Sequence, residues 1–320
     1  MAQIVVTRPL VDGALEGLAS HHDVTVGSPP SGDGLSEQSL IDRIGDARAI
    51  ITTVADPITA DVVAGCPGLE VIAQYGVGLD NVDLNAAAEA DITVTHTPGV
   101  LTDATADFTW ALLLAVGRRV LEADAFVREG HFERWETRTI LGMELAGKTL
   151  GIIGLGRIGA AVARRALGFG MDVIFYNRSP ANPTVIRESG ATPASLETVL
   201  TSSDVVSLHC PHNEDSHHLL DLEALNMMRP EALLINTARG PVIKEADLVE
   251  ALDAGMIAGA GLDVFEEEPD VHPGLMNHDR VVLAPHLASA TVEARIRMGQ
   301  MCVESLLAYF DGEDVPHRAR

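Results

Sequence analysis

A chain of 320 residues with 47% hydrophobic side chains can fill two cores of ordinary domain size, and at 4% aromatic residues those cores must be built from Val, Leu, Ile and Ala. A formal net charge of -24, with Lys148 and Lys244 the only lysines, repels nucleic acid and anionic membranes, so neither is an expected partner. Three scattered cysteines (Cys66, Cys210, Cys302) argue against a disulfide framework, no stretch reaches the ~20 apolar residues of a membrane span, and Met1 leads straight into Ile4-Val5-Val6 without a basic signal region. The expectation is a cytoplasmic protein. Its acidic excess reads either as plain solubility or as a surface kept hydrated in a high-salt cytoplasm.

In chain order, residues 3–7 read as a buried strand, 12–19 as a helix and 23–26 as a second strand. A Pro/Gly/Ser loop follows over 28–34. Helix 37–44, strand 49–53, helix 58–63 and strand 69–73 continue the alternation, and 92–95 is a further strand before Thr97-Pro98-Gly99. Alternating strands and helices predict a mainly parallel sheet covered on both faces. Residues 102–120 read as a long apolar helix that continues over 121–129, and 130–142 as an irregular arm carrying Phe132 and Trp135. A homodimer through 102–142 is expected, with burial inside one chain as the competing account.

A second alternating unit begins with Thr149 to Ile153, an apolar run that ends in Gly154-Leu155-Gly156-Arg157-Ile158-Gly159 and passes into a helix over 160–169. Gly154 allows the turn, Gly156 lets backbone approach a pyrophosphate, and Gly159 lets helix pack on strand. The N–H groups of Arg157, Ile158 and Gly159 open the helix, where the dipole favours phosphate. Strands follow at 172–176, 205–208, 232–236, 258–264 and 281–284, with helices at 195–200, 222–228, 245–254 and 291–310. The expected architecture is α/β: two doubly wound parallel-sheet, Rossmann-like domains with a cleft between them. Residues 1–98 plus 288–320 form a discontinuous, flavodoxin-like substrate domain. Residues 99–287 form the dinucleotide domain, which includes the dimerisation helix and arm 102–142.

In NAD-selective sites an acidic residue ends the second strand and binds the ribose hydroxyls. Here Asn177, Arg178 and Ser179 stand there. None repels a 2′-phosphate, and Arg178 can pair with one. NADP(H) is the expected cofactor, with NAD(H) possible.

Three polar residues sit just past apolar strands: Arg239, Glu268 at the end of Glu266-Glu267-Glu268, and His286 after Pro285. Strand ends of a doubly wound sheet are where distant segments converge on a ligand. The reading of Gln74-Tyr75-Gly76-Val77-Gly78 is open at this level between a plain turn and a ligand loop with exposed N–H groups.

The set G-L-G-R-I-G, N-T-A-R-G, G-L-D-V-F-E-E-E-P and P-H-x-x-S-A-T spans essentially the whole chain and resembles the D-isomer-specific 2-hydroxyacid dehydrogenase family. Within it, Leu141 to Leu150 and Asn177-Arg178-Ser179 are similar to glyoxylate/hydroxypyruvate reductases. The resemblance implies hydride transfer between NAD(P)H and a small 2-oxoacid. His286 is then the proton donor, an imidazole being suited to neutral pH. Glu268 orients it, and Arg239 binds the carboxylate and polarises the carbonyl. Val77 and Gly78 hold the substrate carboxylate through backbone N–H groups. Thr105, Cys210, Pro211, Thr237, Ala238, Asp263 and Ala288 fall at cofactor-contacting positions. No metal is expected: His209, Cys210 and His212, like His217-His218, lack a spaced set of ligands.

The chain departs from the family's usual pattern where Ala288 replaces a glycine, where Thr139 replaces a second aromatic of the arm, and where His212-Asn213-Glu214-Asp215-Ser216 replaces L-T-x-E-T. These positions leave pocket size and cofactor contacts open. Two alternatives stay open as well: a 3-phosphoglycerate-type or other D-2-hydroxyacid dehydrogenase, and a dinucleotide-sensing protein of the corepressor type.

Overall fold

The computed structural model describes residues 1–29 and 34–319, and most of the loop read over 28–34 lies outside them. The chain divides into two compact units, Met1–Leu101 with Ala290–Arg320, and Thr102–Ser289.

The first unit carries a five-stranded parallel sheet: β1 (Gln3–Val6), β2 (Asp23–Val26), β3 (Ala49–Thr53), β4 (Val71–Tyr75) and β5 (Thr93–Thr95), in the order β2-β1-β3-β4-β5. That is the doubly wound order with its switch point between β1 and β3. Helices α1 (Glu37–Ile44), α2 (Ala60–Gly65) and α3 (Leu84–Glu89) start on side-chain caps, Ser36, Thr59 and Asp83 accepting the N–H of Ser39, Val62 and Ala86. Val5, Ile50 and Ile72 of the sheet pack with Leu40, Ile44 and Val62 of the helices. The C-terminal helix Val292–Asp311 lies against β4, where Tyr75 Oη donates to Arg295 O at 2.7 Å. The last residues return to the sheet edge, with an isolated Thr95–Arg318 bridge.

The second unit carries α4 (Thr102–Gly117), α5 (Val120–Arg128) and a seven-stranded parallel sheet: β6 (Thr149–Ile153), β7 (Asp172–Tyr176), β8 (Thr192–Pro193), β9 (Val205–Leu208), β10 (Leu233–Asn236), β11 (Gly259–Leu262) and β12 (Val281–Leu283). Helices α6 (Arg157–Gly168), α7 (Pro183–Ser189), α8 (Leu196–Ser202), α9 (Leu222–Met227), α10 (Glu245–Asp253) and α11 (Pro273–Met276) complete it. The order β12-β11-β10-β9-β6-β7-β8 reverses direction between β9 and β6. Both faces are covered, as a parallel sheet requires. On one face α4 and α6 pack with Leu150, Ile152 and Leu233; on the other, Val206, Leu234 and Leu262 pack with Leu200, Leu225 and Leu248.

Two expectations need correction. Residues 12–19 do not form an α-helix: the segment is a run of turns ending in a 3-10 turn at Leu18–Ser20, because Gly13 and Gly17 take φ of 83° and 86°. The long helix does not run on past 117, since Arg119 takes φ 53° in the left-handed region and α5 starts afresh. Helices α3, α7 and α11 stand where no element was expected from the sequence. No described helix is long and apolar enough to cross a membrane.

Candidate active site

Register explains how residues far apart in the second unit come together. Leu283, Leu262, Asn236, Leu208, Ile153 and Tyr176 are successive partners across six neighbouring strands. The strands therefore finish in one row, each about 4.8 Å from the next. Just beyond that row lie His286, Asp263, Arg239, Cys210, Gly154 and Asn177.

At the switch point, Gly154 has φ 101°, and a Cβ there would sit 2.5 Å from Cys210 N and 2.6 Å from His209 C. Only glycine fits where the turn presses on the end of β9. A Cβ at Gly159 would meet Gly154 O at 2.3 Å, so helix and turn are in backbone contact there. Gly156 differs: a Cβ would meet nothing within 4 Å, and α6 starts from it without a side-chain cap. An open approach onto uncapped N–H groups of a helix, including those of Arg157 and Ile158, fits a diphosphate.

Past β7, Asn177 Oδ1 accepts the Leu155 N–H at 2.6 Å, which ties the end of that strand to the glycine turn. Arg178 is exposed and paired with Asp215, with Asn213 Oδ1 at 3.4 Å. Ser179 is exposed. Past β9, burial pushes the Cys210 thiol up to about 11, so it stays a neutral wall beside Pro211. Thr105, in α4, is buried and its carbonyl accepts from Thr109 Oγ1, which also meets Thr237 Oγ1 at 2.8 Å.

The loop past β10 is held by Asn236, whose Oδ1 accepts the Ala238 N–H at 3.0 Å and whose Nδ2 donates to Arg239 O at 2.9 Å. Arg239 Nη1 donates to Ala238 O at 2.6 Å. Next to it, a Cβ on Gly240 would overlap Phe265 O at 1.7 Å, so this loop and the one past β11 touch through backbone. The β11 loop carries Glu268, whose Oε1 accepts the Phe265 N–H at 3.1 Å. Its Oε2 accepts from His286 Nδ1 at 2.8 Å. Both side chains of this pair remain about one-third exposed, at 34% and 32%, which leaves the imidazole reachable. The backbone of His286 takes φ 55°, a conformation uncommon for a residue with a side chain.

Asp263 makes that conformation possible. It is fully buried, its two oxygens accept the N–H groups of Leu287 (2.6 Å) and Ala288 (2.8 Å), and its own carbonyl accepts the His286 N–H at 2.8 Å. Burial raises its pKa above the ordinary value against the pull of those two N–H groups. Ala288 has no positive φ, so an alanine stands there without backbone strain. Val77 and Gly78 belong to the first unit, in the loop past β4, and both are partly exposed.

The sequence reading did not single out Asn236, Thr109 or Asp215. An Asn two residues before the bonded N–H is an Asx-turn signal and could have marked the first; the other two act through contacts of high sequence separation. Among the described residues no group of three His, Cys, Asp or Glu gathers as metal ligands. His212, His217 and His218 do lie together, His212 Nε2 being 3.2 Å from His217 Nδ1, and His218 donates to Glu266 Oε1 at 2.6 Å.

A family model for the D-isomer specific 2-hydroxyacid dehydrogenase NAD binding domain matches residues 110–288. The glyoxylate reductase of Thermococcus litoralis is 43% identical over 319 residues, covering 98% of this chain and 96% of that one. A protein of Thermus thermophilus of known structure is 45% identical and superposes with a TM-score of 0.92 over 99% of this chain and 100% of that one. The NADPH-dependent glyoxylate/hydroxypyruvate reductase of Sinorhizobium meliloti, solved with NADP and malonate, is 32% identical with a TM-score of 0.88, over 99% and 96% of the two chains.

Proposed function

The chain belongs to the D-isomer specific 2-hydroxyacid dehydrogenase family, and from that premise we propose that it reduces small 2-oxoacids, glyoxylate and hydroxypyruvate, to D-2-hydroxyacids with NAD(P)H. The observation that carries this reading is the His286–Glu268 pair past β12 and β11, with Arg239 past the neighbouring β10, on the same row of strand ends as the glycine turn. The bound nicotinamide supplies the hydride.

The residues do the rest. His286 gives the carbonyl oxygen its proton as negative charge develops there. Glu268 accepts from Nδ1, which leaves Nε2 to face the substrate and fixes the ring plane. Arg239 holds the substrate carboxylate and draws electron density from the carbonyl. The N–H groups of Val77 and Gly78 take the carboxylate as well. With a proton donor and a cation in the protein, the reaction requires no metal.

For the cofactor, NADP(H) is preferred and NAD(H) accepted. Asn177 and Ser179 carry no charge against a 2′-phosphate, and Arg178 pairs with one; Asp215, already on Arg178, moderates the preference. Thr105, Thr237, Ala238, Cys210, Pro211, Asp263 and Ala288 line the cofactor. Residues 102–142 form a homodimer contact: α5 buries no residue although it carries Val120, Leu121 and Val127, and Phe132 and Trp135 of the arm are exposed.

The test is a cofactor-oxidation assay with glyoxylate, hydroxypyruvate and a 3-phosphorylated 2-oxoacid, each with NADPH and NADH. Turnover of the first two, faster with NADPH, is expected. A preference for the phosphorylated acid, or no turnover of any, overturns the assignment.

A further inference from the structure

The loop past β4 is fastened by its carbonyl groups. Gly76 O accepts the Thr97 N–H at 2.9 Å, Val77 O accepts from His96 Nδ1 at 2.9 Å, and Gly78 O accepts from Gln74 Nε2 at 3.1 Å. Within a planar trans peptide the C=O and the following N–H point in opposite directions. Fixing these three carbonyls therefore fixes the N–H groups of Val77, Gly78 and Leu79, each turned away from the group that holds its peptide. Among the described residues none of these three N–H groups meets an acceptor, and all three residues are partly exposed.

Gln74 is an unusual choice for its place. It is fully buried in β4 among Val71, Ile72, Ala73 and Tyr75, where a branched aliphatic side chain would pack without polar atoms to satisfy. Its Oε1 has no hydrogen-bond partner, a cost the fold carries. What it gains is the two donors of Nε2, one to Gly78 O and one to Asn81 Oδ1 at 2.7 Å. Asn81 is anchored in turn, its Nδ2 donating to Thr53 O (3.0 Å) and Asp56 O (2.8 Å). Below Asn81, Asp56 is itself fixed by Thr7, Thr52, Thr53 and Arg8. His96 is held at its backbone, its N–H donating to His317 O at 3.0 Å, so the returning C-terminal residues set where the imidazole stands. Donation to a carbonyl requires the proton on Nδ1.

We infer that Gln74 and His96 are positioning residues for the carboxylate of the substrate: they hold the carbonyls of Gly78 and Val77 so that the N–H groups of Val77, Gly78 and, as a third donor, Leu79 present one acceptor-binding edge. A run of oriented backbone N–H groups is an anion site only while its peptide planes stay put. Neither side chain touches the substrate. The inference rests on the proposed reduction of 2-oxoacids and names how the first unit recognises their common group.

The experiment compares wild type with His96→Leu, His96→Asn and Gln74→Leu, reading KM and kcat for glyoxylate, binding of the carboxylate analogue oxamate to the NADPH-loaded protein by calorimetry, NADPH Kd by fluorescence, and Tm. His96→Leu is expected to raise KM and the oxamate Kd about ten-fold, the loss of one aligned hydrogen bond, with kcat within about two-fold. NADPH Kd stays unchanged. The amide of His96→Asn reaches close to where Nδ1–H stood and recovers most of the loss. Gln74→Leu repeats the pattern if folded; if its Tm collapses, the two variants of the partly buried His96 decide alone. Unchanged KM and oxamate Kd in His96→Leu overturn the inference, as does a fall of kcat, KM and Tm together without recovery in His96→Asn. Wild-type protein inert toward every 2-oxoacid is a different failure, that of the functional assignment itself.

Discussion

Glu268 reaches His286 Nδ1 with one carboxylate oxygen at 2.8 Å and is braced by the Phe265 N–H on the other at 3.1 Å. The carboxylate thus has no freedom to turn away without giving up a backbone hydrogen bond. The imidazole is held from a second side by Asp263, whose carboxylate accepts the N–H groups of Leu287 and Ala288 and so holds the left-handed residue before them in place. Two acids divide the work: the buried one shapes the backbone, and the half-exposed one aims the ring.

That division gives the first prediction. His286→Ala removes the proposed proton donor and should lower kcat about a hundred- to ten-thousand-fold while NADPH Kd stays within a factor of two or so. Glu268→Ala leaves the donor but frees its orientation, and its loss should be smaller, on the order of ten- to a hundred-fold. Stopped-flow reduction of glyoxylate with pre-bound NADPH measures both without interference from product release. Equal activity of His286→Ala and wild type would remove His286 from the mechanism.

Arg178 and Asp215 set up a second prediction. The carboxylate stands on the guanidinium proposed to receive a 2′-phosphate, and both groups are exposed. Asp215→Asn frees Arg178 and removes a like charge, so the ratio of kcat/KM for NADPH over NADH should rise. Exposed pairs contribute at most about 1 kcal/mol, which limits the rise to about five-fold, and screening by salt shrinks it. Arg178→Ala should lower the same ratio. The check is the two ratios at low and high ionic strength; an unchanged or lowered ratio in Asp215→Asn contradicts the assignment of Arg178 to the phosphate.

A third concerns the arm. Trp135 is 77% exposed and Phe132 59%, on a chain with only nine tryptophans and phenylalanines in all. Large exposed apolar side chains on one segment mark an association surface. Light scattering on the wild-type protein should give the mass of a dimer, and Phe132→Ser with Trp135→Asp should give a monomer with unchanged far-UV dichroism. A monomeric wild type would assign the arm some other cover.

How much of this was legible in the chain follows from the kind of interaction involved. The parallel strands were readable because their sequences are short and mainly apolar, as in Val205 to Leu208 and Asp172 to Tyr176, whose bounds the structure repeats. Glycines were legible where a turn and a helix start fall together, at Gly154 to Gly159. They were misread at Gly13 and Gly17, where the apolar spacing of Ala14 and Leu18 imitates a helix while the left-handed glycines break it. Arg239, Glu268 and His286 stood out as polar groups ending apolar strands. The role of Asp263 in shaping the His286 backbone, the clamp at Asn236 and the Asp215 partner of Arg178 were hidden, because each depends on a contact between segments that no local pattern encodes.

His209 supplies the last prediction. It follows β9 at the switch point, its Nδ1 is enclosed without a hydrogen-bond partner, and its Nε2 meets Ser207 Oγ at 2.9 Å. Burial lowers its pKa from the ordinary 6.5 to about 3, so the folded protein keeps this ring neutral. The unfolded chain takes up a proton as pH falls through 6.5, and the folded one does not until about pH 3. Across that window the unfolded state binds more protons, so stability must fall with pH, on the order of 1 kcal/mol per pH unit from this residue alone. Asp56 and Asp204 add to the loss only lower down. Burial raises each, but hydrogen bonds from Thr7 and the Thr53 N–H in one, and from the Thr149 N–H and Lys148 in the other, bring the net pKa below the usual carboxylate value. Their contribution is whole above that usual value and disappears as pH falls through the folded one. Asp263, whose pKa is raised, acts in the opposite sense and relieves a cost as it protonates. Denaturant unfolding of wild type and His209→Gln between pH 7 and pH 4.5 separates these terms. The wild type should lose stability steadily from about pH 6.5 downward, and the variant, left with His22 as a second ring that burial holds below its ordinary value, should lose distinctly less over the same range before the aspartates begin to act. Parallel curves for the two proteins would mean that the ring of His209 can take its proton without leaving the fold.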